Sequence, residues 1–328
     1  NMEWYQAFDP RASKVLVVAE IGINHLGQEE YAIQLVKEAK RAGADAVKFQ
    51  IYQTSQFYHP SSGAYEIFER YELTLESFER IRRYCEENHM LFFATPLDWT
   101  SLQWMCDRRI PLIKIASSDI TFEPFLNTIG KYVKENKAYA ILSTGFVDLP
   151  TIQKATRFFP KDKLALLYCV SRYPTEAQDL DLRFIQILQK RFHTTVGFSD
   201  HSKETVFSVA AVALGARIIE RHFTDNPSLE EADHSISLSP ELFSRMVSEI
   251  RNLEIALGNG EKKITPFEEE IRPLSMRSLY AGRDIHKGEI IKQTDIKCLR
   301  PGEGITLSEY NHFVGKKSKK SYKAYEKL

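Results

Sequence analysis

Cysteine is scarce in this sequence: Cys85, Cys106, Cys169 and Cys298 are the only four in 328 residues, and no C-x-x-C pair occurs. A disulfide framework is therefore not expected, and a reducing, cytoplasmic location fits best. Long apolar runs are also missing. None approaches the ~18 residues of a membrane-spanning helix, and the first residues lack a basic segment followed by an apolar one. Neither a transmembrane helix nor a signal peptide is expected. An excess of charge is absent too, because 44 Lys plus Arg balance 44 Asp plus Glu. Nothing pulls the chain as a whole toward nucleic acid or a membrane surface. Lysines 316, 317, 319, 320 and 323 crowd the C-terminal tail. They read as a solvated surface, because no clustered stacking aromatics accompany them.

What the chain does have is a repeat. Eight short apolar runs rich in β-branched residues occur at 15–20, 45–51, 90–94, 112–116, 138–143, 164–170, 194–199 and 216–223, with amphipathic stretches such as 29–42 and 76–88 between them. Strands that are apolar on both faces belong to parallel sheets covered by helices. Eight β/α units in about 225 residues is the count of an α/β (β/α)8 TIM barrel; a doubly wound open sheet is the alternative. After residue 257 the pattern changes to glycine, proline and short strand-like pieces. The expected organisation is a catalytic barrel over 1–262, a linker over 263–276 and a small β-rich module over 277–328. Such a module buries little by itself and should dock on something. The longest excursion, 54–75, follows the second strand, on the side where a barrel builds its site.

Polar residues end every strand: Glu20, Lys48, Thr95, Lys114 with Ser117 and Asp119, Ser143, Ser171 with Tyr173, Ser199 with His201, and Glu220 with His222. One such residue is an ordinary cap, but eight strand ends together indicate a site. Lys48 and Lys114 interrupt otherwise apolar strands, where an ammonium is costly unless paired. They read either as salt-bridge partners of Glu20 or Glu220, or as an anion clamp that Ser117, Ser143 and Ser199 complete around a phosphate. His201 and His222 end successive strands and can hold a divalent metal with open positions left for water and substrate. Manganese, iron, cobalt and zinc all suit two imidazoles. His25 is a further candidate for this site. Asp233, in the polar loop after the last strand, can grip hydroxyls or move protons. Glu66 and Glu69 on the long loop are weaker candidates.

The ordered motifs AEIGINH (19–25), AGADAVKFQ (42–50), KIAS (114–117), ILSTG (141–145), CVSRYPT (169–175), FSDH (198–201) and ERHFT (220–224) resemble the sialic acid synthase family. These enzymes make nonulosonic acids such as N-acetylneuraminate. The segment with Arg277-Ser278, Ile285 to Glu289 and Arg300-Pro301-Gly302 is similar to the family's antifreeze-like (SAF) domain. The resemblance implies a TIM barrel followed by a SAF domain, in a domain-swapped homodimer that condenses phosphoenolpyruvate with an N-acyl amino-sugar aldehyde. It implies that Lys48, Lys114, Ser117, Ser143 and Ser199 bind phosphoenolpyruvate, with Ser171 beside them. It places a divalent metal, manganese first and magnesium or cobalt next, on His201 and His222. It gives Glu20, Asp119, Tyr173, Glu220 and Asp233 to the sugar or to proton transfer, and Arg300 to the acyl group in the partner's site. Three neighbouring readings keep part of this: a diacetamido-trideoxyhexose as acceptor, giving legionaminic or pseudaminic acid; a phosphorylated aldose, as in octulosonate synthesis; and a sugar-binding homologue without catalysis.

Overall fold

In the computed structural model, which describes residues 3–328, each apolar run becomes a strand: β1 (Leu16–Gly22), β2 (Ala46–Ile51), β3 (Leu91–Pro96), β4 (Leu112–Ile115), β5 (Tyr139–Ser143), β6 (Leu164–Cys169), β7 (Thr195–Asp200) and β8 (Ile218–His222). All eight pair in parallel, and β1 joins both β2 and β8, so the sheet closes into a barrel. Closure excludes the open doubly wound sheet. Both faces of each strand are covered, which is why β1, β6, β7 and β8 are buried at every residue. Gly197 lets β7 and β8 approach closely, since a Cβ there would lie 2.3 Å from the Ile218 carbonyl oxygen.

The helices around the barrel follow from their sequences. Glu29–Arg41 buries Ala32, Leu35, Val36 and Ala39, a 3–4 spacing that makes one apolar stripe. It carries Glu29 and Glu30 in its first turn and Lys40 and Arg41 in its last, matching the helix dipole. Thr74, Asp98 and Asp148 each cap a following helix by accepting a hydrogen bond from a backbone N–H three residues on.

Register positions the chemistry. Glu20 lies opposite Lys48 on β2 and His222 on β8, and Ser199 on β7 lies opposite Glu220 on β8. Side chains alternate along a strand, so Glu220 and His222 share one face and Arg221 takes the other. Arg221 is fully buried there and pairs with Asp200 of β7.

The chain divides into two compact units, Asn1–Gly258 and Asn259–Leu328. The segment expected to be a linker holds a helix, Pro266–Ser275. Its two prolines read as breakers, but Pro266 occupies the first helical position, where its missing N–H is not needed. Thr265 and Glu268 close a reciprocal capping box at that end. In the second unit, β9 (Ser278–Ala281) and β10 (Ile296–Leu299) form an antiparallel pair. The lysine-rich tail does more than cover a surface: Lys317, Tyr322 and Lys327 bridge to Ile290, Ile285 and Tyr280. Tyr322 and Leu328 join Leu279, Ile285, Ile291 and Ile296 in the small core, while the five lysines stay exposed. Among the described residues, no helix is long and apolar enough to cross a membrane.

Candidate active site

A cavity of about 230 Å³ lies at the carboxyl ends of the barrel strands. Of the site residues that the resemblance implies, all but Asp119, Asp233 and Arg300 line it. At its floor the lysines are paired. Lys48 Nζ is 2.8 Å from Glu20 Oε2 and 3.8 Å from Glu220 Oε2, and it donates to Thr95 Oγ1 at 3.0 Å. Lys114 Nζ is 3.6 Å from Glu220 Oε1, which also accepts from Ser199 Oγ at 3.0 Å. Burial pushes the Glu20 carboxyl up, and Glu220 reinforces this against the pull of Lys48. Burial opposes ionisation of Glu220 too, but Lys114 and Lys48 outweigh it and hold that carboxylate well below its usual range. Two neighbouring carboxyls are thus driven apart: one stays charged and the other takes a proton readily.

The hydroxyls stand opposite. The Gly145 N–H donates to Ser117 Oγ at 3.0 Å. A Cβ at Gly145 would sit 2.4 Å from Ser171 Oγ and 2.9 Å from Ser117 Oγ, so this position needs glycine for the serines to reach the cavity.

The histidines sit side by side with ring centres 5.6 Å apart. His201 Nδ1 lies 2.8 Å from the Val170 carbonyl oxygen. A carbonyl only accepts, so Nδ1 carries the proton and Nε2 keeps a lone pair, 3.3 Å from Ser199 Oγ. Burial pushes His201 down to about 4 and His222 down to about 3, so both rings are neutral at physiological pH. His222 Nδ1 is buried without a hydrogen-bond partner, with Asp233 Oδ2 3.6 Å away. An orphaned buried nitrogen and two lone pairs in one polar cavity fit a divalent metal. Among the described residues no three His, Cys, Asp or Glu side chains cluster closely enough to hold an ion alone, so an ion between these histidines would need water or substrate to complete its coordination.

A second cavity, of about 690 Å³, shares Gln50, Tyr58, Phe68, Tyr173 and His222 with the first and extends it outward. Asp233 lies on its wall. Asn24 holds the Asp233 loop in place: its side chain accepts from the Asp233 N–H at 2.9 Å and donates to Phe223 O and Ser237 Oγ, each at 2.9 Å. The opposite wall is the long excursion, which folds into helices Thr54–Phe57 and Tyr65–Tyr71. Glu72 ties its ends by accepting from the Thr54 N–H and hydroxyl, both at 2.7 Å. Ile23, Tyr52 and Tyr71 bury themselves beneath it with Leu26, Phe57, Phe68 and Leu97. Sequence reasoning chose Glu66 and Glu69 on this loop, but both are exposed and line neither cavity. The aromatic residues Tyr58 and Phe68 face inward instead. Their signal was the aromatic density of a polar-looking loop.

Two further expectations, Asp119 and His25, come out differently. Asp119 lies in a turn beside Ser117, half-buried, and lines neither cavity; burial pushes its carboxyl up to about 6. Arg300 belongs to the second unit, where the sequence reading puts it. His25 does not join the site: it is fully buried against Phe49 and Phe78, and its Nδ1 accepts from the Gly27 N–H at 3.0 Å. Burial pushes His25 down to about 3. Unfolding lets this ring take up a proton that the native state refuses, so stability present above pH ~6.5 is lost as the pH falls toward 3. Between pH 7 and 5 the wild type should lose about 2 kcal/mol more than a His25→Gln variant, by urea titration at each pH. Equal losses would show that His25 is not the titrating group.

The NeuB family model matches residues 35–262, and the SAF domain model matches residues 276–324. The chain is 35% identical to the N,N'-diacetyllegionaminic acid synthase of Legionella pneumophila, covering 93% of this chain and 91% of that protein. It is 31% identical to the N-acetylneuraminate-9-phosphate synthase of Drosophila melanogaster, covering 92% and 91%. The crystal structure of the N-acetylneuraminic acid synthetase of Leptospira borgpetersenii matches with a TM-score of 0.73 and 32% identity, over 78% of this chain and 90% of that one. With its closed barrel, its strand-end constellation and a SAF domain following in sequence, the chain belongs to the NeuB family.

Proposed function

We propose that the protein is a nonulosonic acid synthase that joins phosphoenolpyruvate to an N-acylated amino-sugar in its aldehyde form and releases phosphate. The observation that carries this reading is the single cavity where two buried lysines, two carboxyls with opposed proton affinities, five serines and two neutral histidines converge. Phosphoenolpyruvate would take the inner cavity. Its anionic groups would meet Lys48 and Lys114, and Ser117, Ser143, Ser171 and Ser199 would donate to its oxygens. The sugar would take the outer cavity, with its aldehyde near His222 and Tyr173 and its hydroxyls near Gln50 and Asp233.

Carbon 3 of phosphoenolpyruvate attacks the aldehyde carbon, and the aldehyde oxygen takes a proton. Water adds at carbon 2 and gives up a proton. The bond between carbon 2 and the bridging oxygen then breaks, so phosphate leaves with the electron pair and takes up the proton of the carbon 2 hydroxyl, and a 2-keto acid remains. Glu20, whose carboxyl holds a proton readily, is placed to exchange it. Glu220 keeps its charge and orients Lys114 and Ser199. A divalent metal on His201 and His222, manganese first, would polarise the aldehyde when bound.

The reading includes a cytoplasmic, domain-swapped homodimer in which Arg300 of one copy serves the other's sugar. Exposed apolar side chains on and beside the 266–275 helix, Phe267, Leu274 and Met276, support a surface that a second copy covers. The test is phosphate release from phosphoenolpyruvate with manganese. The panel is N-acetylmannosamine, the diacetamido-trideoxyhexose precursors of legionaminic and pseudaminic acid, and arabinose 5-phosphate. Release with at least one amino-sugar is expected. Release with arabinose 5-phosphate alone, or with no sugar, would overturn the reading.

A further inference from the structure

A third cavity, of about 790 Å³, lies between the helices that precede and follow β6, Leu149–Thr156 and Phe184–Phe192. Its size suits a small organic ligand. Helices Glu29–Arg41, Leu75–Glu87 and Glu123–Glu135 each run thirteen residues, but Leu149–Thr156 has only eight and stops ahead of Pro160. Past its end the lining passes through Arg157, Phe159 and Lys161. Leu164, the first residue of β6, and Thr194, just before β7, also line the cavity. It therefore sits at the opposite end of these strands from the catalytic cavity, which takes Cys169 and Ser199.

Four cations line this cavity: Arg157, Lys161, Lys190 and Arg191. Among the described residues no Asp or Glu lines it, and none of the four makes an ion pair. On helix Leu75–Glu87 the opposite holds: Arg80, Arg82 and Arg83 pair with Glu29, Glu79 or Glu86. In a chain with as many acids as bases, the four cations are a local excess. The helix dipole accounts for part of it, because Arg157 follows one helix and Lys190 and Arg191 end the other. Two helix ends carry only about half a negative charge each, so roughly three positive charges remain over. The same lining is apolar elsewhere. Phe159, Leu164 and Phe192 are nearly buried, and Ile187 is 46% exposed.

We infer that this cavity binds a nucleoside diphosphate. The phosphates meet the four cations, and a diphosphate ester carries about three negative charges at neutral pH, which matches the excess. Arg157 and Arg191 can grip phosphate oxygens with a planar fork, while Lys161 and Lys190 act as point charges. The flat base covers apolar side chains that would otherwise stay wet. Gln153 Oε1 accepts from Arg191 Nη2 at 3.2 Å, which leaves the Gln153 amide N–H groups for a carbonyl of the base. Inorganic diphosphate would leave the apolar lining uncovered, and a prenyl diphosphate would leave Gln153 without a partner. None of these residues takes part in the proposed reaction, so the site stands or falls apart from it.

The experiment is titration calorimetry on the full chain, without divalent metal, using adenosine and uridine diphosphates, the two nucleosides, inorganic diphosphate and geranyl diphosphate. At least one nucleoside diphosphate should bind about tenfold or more tighter than any of the other four. Added salt should weaken it, because these cations are exposed and screened. A Lys161→Ala/Lys190→Ala variant should lose at least about tenfold in affinity at an unchanged urea midpoint, since neither side chain makes an ion pair. Ile187→Ser should weaken the nucleotide and leave inorganic diphosphate unchanged. Lys48→Met, in the catalytic cavity, should bind the nucleotide within about twofold of wild type. Inorganic or geranyl diphosphate binding as tightly as both nucleotides would overturn the inference. So would full affinity in the double lysine variant, or loss of binding in Lys48→Met, which would place the nucleotide in the catalytic cavity.

Discussion

Replacing Asp200 by alanine is expected to cost the barrel about 3–5 kcal/mol, the usual penalty for stranding one partner of a buried ion pair. Arg221 and Asp200 are each about 1% exposed. The Asp200 carboxylate accepts from Arg221 Nη1, from the Ser202 N–H at 2.9 Å and from Ser208 Oγ at 2.7 Å. Arg221 also donates to the Ser202 carbonyl at 2.6 Å and the Glu204 carbonyl at 2.8 Å, stitching the loop after β7 to β8. Alanine removes the countercharge and orphans two donors, while water cannot easily reach the guanidinium. All three tryptophans, Trp4, Trp99 and Trp104, belong to the barrel unit, so their fluorescence in urea reports this unit selectively. Asp200 and Arg221 directly precede His201 and His222, so the variant should also weaken manganese binding, measured by the ion's electron-spin resonance signal. A loss under about 1 kcal/mol with unchanged manganese affinity would show that the pair neither stabilises the barrel nor positions the histidines.

This pair also shows where sequence reading stops. The eight strands were legible because a strand covered on both faces has to be apolar, and their ends were legible because polar residues recur there. Glu20, Lys48, Lys114, Ser199 and His222 followed directly from that pattern. Asp200 and Arg221 stood in the same motifs, and alternation turns each away from its histidine's face, but nothing in a one-dimensional pattern says that the two meet there. That depends on the register of β7 against β8. The competing readings of Lys48, salt bridge or anion clamp, could not be separated in sequence because they require the same residues; the structure places Glu20 and Glu220 against it. His25 misled because a histidine after a strand looks the same whether it faces a cavity or Phe49. Glu66 and Glu69 misled because the short helix Tyr65–Tyr71 turns both to solvent, and seven residues carry too little periodicity to show it. The helix at Pro266–Ser275 was missed because two prolines outweighed the capping box around Thr265. The tail's contribution to the small core was hidden because single residues, Tyr322 and Leu328, carry it rather than a run.

A Lys48→Met variant should keep its fold and lose its chemistry. Methionine replaces the aliphatic stem at similar volume, so packing survives. Glu20 then loses its counterion at 2.8 Å. Its carboxyl is already pushed up by burial and by Glu220, and with Lys48 gone it takes a proton instead of standing as an unpaired buried charge. That protonation limits the cost of the substitution, so the urea midpoint should move little. The inner cavity, however, drops from two cations to one, and Lys114 alone is held less firmly charged, because burial pushes its ammonium down. Affinity for phosphoenolpyruvate should fall by roughly 100-fold in titration calorimetry. Turnover should fall by about 1000-fold or more, because in the proposed reaction the same cation would face the charge that develops as phosphate departs. Lys48→Arg should recover only part of either, since a planar guanidinium cannot occupy the point between Glu20, Glu220 and Thr95 Oγ1 that the ammonium fills. Phosphoenolpyruvate affinity within threefold of wild type would mean that Lys48 serves only to neutralise Glu20, and the anion site would then have to be sought around Lys114 and the serines alone.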